Sequence, residues 1–230
     1  MPAQASKPTS TNATGDDRVA ASLRGFGPIG ILVILAGNFV VAPLSAILVL
    51  LWVRLSCTPW PAIGYVRPES WVGSVVGGIS LGVAFKLLMK TIVLPLLGAD
   101  PINPAYHYLA GNTAALPGMI LALIIVAGFG EETVFRGWMF ERLGRLLGRA
   151  RWAKVLTVLI TSVWFGALHY PEQRLAGAQQ AVIFGLVIGT IFAITRRIFM
   201  LMVAHAAFDL TALAIIYWDK ETDVAHLFFK

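Results

Sequence analysis

The chain has 230 residues, of which 57% are hydrophobic and only 13% charged, with a formal net charge of +6. A soluble domain averages about 25% charged residues; this composition, with a mean hydropathy of +0.76, excludes an ordinary soluble fold and specifies an integral membrane protein. The positive surplus lies in short loops beside apolar segments and not on a soluble basic motif, which argues against a nucleic-acid partner, and the single Cys57 excludes an internal disulfide or a multi-thiolate zinc site.

Residues 1–24 are rich in Ser, Thr, Ala and Asn, and no sustained apolar run begins before about Ile29. The parts of a signal peptide are not arranged in order, so this stretch reads as a disordered polar tail ahead of a membrane-embedded helical bundle over 25–230. A helix needs about 20 apolar residues to cross the hydrocarbon core. The first such stretch runs from Pro28 to Val53, with a kink expected at Pro43. An interfacial loop follows, in which Cys57 is given no role. The second span runs from Trp71 to Met89 or beyond. Its Gly73, Gly77, Gly78 and Gly82 form small-xxx-small pairs that let helices approach closely. Lys86 and Lys90, one turn apart near its far end, are expected to snorkel to the interface, the alternative being contact with an acidic site or a substrate carboxylate.

A third span starts near Ala114 and continues past Glu132, its helical pattern persisting to Leu147. Span four covers 153–169 and is ended by Tyr170–Pro171. Span five covers 178–195, with Gly185 and Gly189 as a close-packing pair, and span six covers 200–218. The expectation is an all-α polytopic bundle of about six transmembrane helices. Arg54, Arg67, Arg142, Arg145, Arg149, Arg151, Lys154, Arg196 and Arg197 fall on one side, which the positive-inside rule makes cytoplasmic. A six-span count then puts both termini outside, an awkward place for a tail bearing Lys7, Arg18 and Arg24.

Chemistry concentrates where the apolar run 119–130 meets Glu131, Glu132 and Arg136. A charged residue at mid-helix costs roughly 2.5–3.5 kcal/mol on insertion scales, so a cluster of three signals function. At about 100° per residue, Glu132 and Arg136 share a helix face, whereas Glu131 points about 140° away from the arginine. Glu132 and Arg136 are therefore expected to pair, leaving Glu131 to face other helices, with Gly128 and Gly130 making room beside it. His169 and His205 stand on two further spans. Counted at about 1.5 Å per residue from the nearest cytoplasmic arginine, Glu131, His169 and His205 lie at depths of about 16, 27 and 12 Å. Helix tilt of about 20° lets the three converge within the bilayer. Asp209 is one turn beyond His205, and Phe165 one turn before His169, where it can pack on the imidazole. A glutamate, two histidines and a further carboxylate can activate water, with Glu131 as general base and His169 orienting the same water. His205 with Asp209 can stabilise an oxyanion. Glu131, His169 and His205 also suit zinc by ligand type, leaving a divalent metal open, although no H-E-x-x-H helix is present.

At these residues, 131-EETVFR-136, 165-FGALH-169 and 205-HAAFD-209, the chain resembles the CPBP family of CAAX prenyl proteases and bacteriocin-processing (Abi) enzymes. The pattern covers roughly 115–215, a core formed by the last four helices. The resemblance implies that Glu131 and His169 activate water, that His205 and Asp209 stabilise the oxyanion, and that Glu132 and Arg136 hold the site together. The last position is often Asn in that family; Asp209 can donate to an oxyanion only when protonated, and can instead orient His205. The function expected is an intramembrane endopeptidase acting on a membrane-associated peptide or protein, surrounded by membrane lipid, in the inner membrane if the source is bacterial. The alternatives are an ion-coupled transporter and a non-catalytic membrane factor of the same fold that binds a partner.

Overall fold

The computed structural model describes residues 15–32, 36, 42–148 and 150–229, and its regular structure is entirely helical, with no strand among them. Four stretches are long and apolar enough to cross a membrane: Trp71–Leu96 (α3), Leu116–Leu147 (α4), Arg151–Thr195 and Phe199–Tyr217 (α7). The third of these is two helices, α5 (151–173) and α6 (175–195), meeting at Arg174, whose φ of 56° and ψ of −157° no helix can contain. Shorter helices are α1 (Gly15–Gly25), α2 (Ala42–Leu55) and α8 (Glu221–Ala225). The polytopic all-α bundle expected from the composition is what is found. The break between the fourth and fifth spans does not fall at Tyr170–Pro171, however. Pro171 lies within the helix: the missing N–H forfeits one backbone bond without stopping the chain.

Two expectations for the N-terminal part change. The tail, read as disordered to residue 24, is helical over Gly15–Gly25; residues 1–14 lie outside the described ones. The stretch Pro28–Val53, read as one crossing, has both of its ends at the same end of the bundle. Arg142, near the end of α4, donates to Arg24 O at 3.1 Å and to Phe26 O at 2.7 Å. Trp52 Nε1 donates to Leu23 O at 3.1 Å, and its ring lies under the Arg142 guanidinium. Between these ends, Ala46 is deeper, against Gly130. Part of this stretch, including residues 37–41 just before the expected Pro43 kink, lies outside the described residues.

Helix packing depends on glycine where the sequence suggested. A Cβ on Gly82 of α3 would stand 2.2 Å from Ala204 O of α7, and one on Gly78 would stand 2.7 Å from Met200 O. Gly128 of α4 likewise admits α7, its Cβ position being 2.9 Å from Met202 O, and Gly185 of α6 admits Ser162 of α5. With no water to expel between helices, such close backbone approach supplies the dispersion contact that holds a membrane bundle. Gly64, after α2, has φ of +83°, and a side chain there would strike the Phe192 ring; its carbonyl accepts from Ile198 N at 3.0 Å, tying this loop to the α6–α7 turn. Aromatic rings fill the space between α3, α4, α5, α6 and α7: Phe184 stacks on Phe85 and meets Phe208 at 4.8 Å, while Phe165 meets Phe135 at 4.9 Å. Branched residues such as Val72, Leu121, Val163 and Ile194 remain exposed, as lipid-facing positions require.

Candidate active site

Helix α4 does not keep α-helical pitch through the acidic cluster. It widens to π-helical winding over Leu123–Glu131 and again over Thr133–Trp138, a departure that concentrates at functional sites in other helices. The pairing expected from an α-helical wheel nonetheless forms: Arg136 Nη1 donates to Glu132 Oε1 at 2.9 Å, and both residues are buried. The guanidinium also lies 4.9 Å from the centre of the Phe165 ring. Glu131 points elsewhere, into a cavity of about 700 Å³ that it lines together with His169, His205 and Asp209.

His205 connects the two glutamates. Its Nδ1 lies 2.8 Å from Glu132 Oε1. A carboxylate with Arg136 already on the same oxygen can only accept, so Nδ1 carries a hydrogen. The ring is thereby oriented with Nε2 toward the cavity, 3.7 Å from Glu131 Oε2 and 3.5 Å from Asp209 Oδ2. Glu132 thus orients an imidazole as well as pairing with Arg136, a role the sequence reading missed; the two residues are 73 positions apart, and no local pattern links them.

His169 is fixed by a different device. Its Nδ1 lies 2.8 Å from Phe165 O, one turn earlier on α5. A carbonyl can only accept, so Nδ1–H donates, and in the neutral ring the lone pair is then on Nε2. Phe165 packs as expected, its ring centre 4.5 Å from that of His169 and 5.9 Å from that of His205. The Phe184 ring closes on the other side of His205 at 4.5 Å. The site is a carboxylate, an imidazole fixed through its Nδ1 and a second imidazole held among carboxylates, walled by aromatic rings. Such a set can take a proton from water and face a developing negative charge. Zinc is a different matter: among the described residues no group of three or more His, Cys, Asp or Glu side chains is arranged to hold a metal ion.

The cavity also gathers residues not assigned to it from the sequence, including Tyr106, Glu172, Gln180 and Lys86. Tyr106, from the loop joining α3 and α4, is half-buried, with its hydroxyl 3.4 Å from Gln173 Nε2. Burial, reinforced by Glu172, pushes that hydroxyl well above the usual tyrosine range, so it remains a neutral donor. Lys86 and Lys90 do not snorkel: they are 7% and 8% exposed. Lys90 donates to Pro101 O and lies 3.5 Å from Glu221, whose other contacts are Asn103 N and His107 Nδ1. A buried carboxylate at the start of α8 therefore ties the α3–α4 loop down beside the cavity.

Residues 113–211 match the family described as Type II CAAX prenyl endopeptidase Rce1-like. The chain is also 31% identical over 134 residues to an Escherichia coli protein described only as an uncharacterized 24.3 kDa protein, a match spanning 56% of each. No solved structure matches the chain.

Proposed function

We propose that this protein is an intramembrane endopeptidase that cleaves a membrane-associated peptide or protein, a reading supported by the match of residues 113–211 to the Rce1-like family of Type II CAAX prenyl endopeptidases. The observation that carries the reading is a single cavity in which Glu131, His169, His205 and Asp209 meet, with His205 Nε2 within 3.7 Å of Glu131 and 3.5 Å of Asp209. In this reading water is held between the Glu131 carboxylate and His169 Nε2. Its oxygen bonds to the scissile carbonyl carbon while its proton passes to Glu131. The resulting oxyanion faces His205, which donates from Nε2 as an imidazolium because its Nδ1 hydrogen is committed to Glu132. Protonated Asp209 can add a second donor; ionised, it balances the imidazolium charge. Collapse breaks the C–N bond, and Glu131 returns the proton to the leaving amine. General acid–base participation of this kind contributes about 10²–10⁴-fold.

The test is turnover of a peptide library by the purified protein in liposomes, with products read by mass spectrometry. Glu131→Gln and His169→Ala should each abolish cleavage while leaving expression and the unfolding transition unchanged. A physiological effect that persists in Glu131→Gln would instead favour the partner-binding reading, and solute flux without any peptide product would favour a transporter. Given the side-chain arrangement at the site, cleavage should also survive excess EDTA; loss of activity that zinc restores would assign an ion to Glu131, His169 and His205.

A further inference from the structure

Four lysine and arginine side chains are buried in the described structure: Lys86, Lys90, Arg136 and Arg142. Three have a carboxylate within ion-pair distance, namely Glu221 for Lys90, Glu132 for Arg136 and Glu141 for Arg142. Lys86 has none among the described residues. Its Nζ donates to Gln180 Oε1 at 2.8 Å and lies 4.8 Å from the centre of the Phe208 ring. Asp209, the carboxylate whose charge acts on it most, is turned instead to His205. A buried charge removed from water and left without a counter-charge is costly, and this one lines the cavity that holds Glu131 and His205.

We propose that Lys86 and Gln180 form a binding site for a carboxylate of the bound peptide, a proposal that rests on the peptidase reading and names its substrate class. An ammonium can only donate, so the Gln180 amide must turn its oxygen to Lys86. Its NH2 group, which has no partner among the described residues, is left to donate beside the ammonium. A carboxylate arriving there meets two donors and supplies the missing counter-charge, and charge-assisted bonds of this kind are the strong ones. Gln180 stands one helical turn before Phe184, whose ring packs on His205. That places the carboxylate site about 6 Å along α6 from the reacting centre, about the reach of two extended residues. The carboxylate is either the C-terminal one or that of an Asp or Glu side chain.

Three fluorescein-labelled octapeptides of Ala, Val and Leu distinguish these: one with a free C-terminus, one amidated, and one amidated with a single internal Glu. Binding to the Glu131→Gln protein in nanodiscs is followed by anisotropy, which reads out whether or not the wild type turns peptides over. The free acid or the Glu peptide should bind at least about tenfold more tightly than the neutral amide. Lys86→Met should remove that preference, and Gln180→Leu should reduce it; the latter carries the test if Lys86→Met fails to fold. In a cleavable reporter, Lys86→Met should raise KM and leave kcat nearly unchanged. Equal binding of all three peptides, or a preference that survives both substitutions, overturns the proposal; absence of turnover with the binding preference intact would sink the peptidase reading alone.

Discussion

Glu132 is the residue on which most of the site's geometry converges, since one of its oxygens receives both Arg136 and His205. Its other oxygen, Oε2, has no hydrogen-bond partner among the described residues, so the carboxylate has little to fall back on when a partner is lost. Removing one member of a buried charge pair typically costs about 3–5 kcal/mol. Glu132→Ala and Arg136→Ala should therefore lower stability by that order in a detergent-titration unfolding assay. Glu132→Gln separates the two roles of this side chain. It keeps an acceptor for His205 Nδ1 but removes the countercharge of Arg136, so a fall in stability much larger than any change in the His205-dependent part of turnover is expected. Normal folding of both alanine variants with loss of turnover alone would show that Glu132 and Arg136 act in the chemistry and not beneath it.

At the scale of elements, α3 and α7 are held by the absence of side chains at Gly78 and Gly82. Any Cβ at Gly82 meets backbone, the Ala204 carbonyl at 2.2 Å, and backbone cannot rotate aside as a flexible side chain would. Overpacking of a filled interior costs about 1–3 kcal/mol and occasionally more. Gly82→Ala should thus destabilise the bundle by at least that order. It should also shift His205, which lies one residue past Ala204, and so lower turnover more than stability alone explains. Gly118→Ala is the control, because no atom stands within 4 Å of a Cβ there; it should not lower the melting transition, as an exposed substitution with no contact to disturb.

For the molecule as a whole, the contacts of α1 reconcile the charge pattern. Arg24 and Phe26 sit on Arg142, Arg196 donates to Ala62 O, and Arg197 pairs with Glu69, so the arginine-rich loops and the N-terminal helix share one end of the bundle. The buried Lys90–Glu221 pair marks the other. If α3 to α7 each cross once, α1 lies on the side that the positive-inside rule makes cytoplasmic, together with Arg18 and Arg24, and α8 lies opposite. In a Cys57→Ser background, Asp16→Cys and Ala150→Cys should be labelled by an impermeant maleimide from the same face of sealed vesicles, and Lys220→Cys from the other. Labelling of Asp16→Cys together with Lys220→Cys would restore a six-crossing topology.

What the sequence determined alone was whatever depends on local periodicity and on the cost of charge in lipid: the helical class, the pairing of Glu132 with Arg136, the separate direction of Glu131, Phe165 packing on His169, and the glycine faces. These relations span about one helical turn or follow from composition, and they survived even the π-helical winding of α4. What the tertiary structure decided joins residues far apart in the chain. Glu132 orienting His205, Lys86 drawn inward to Gln180, Glu221 holding the α3–α4 loop, and Leu23 meeting Trp52 all depend on which helices become neighbours. Apolar helices that face lipid and protein alike carry no polar stripe to announce that choice; only close packing of small against large side chains settles it.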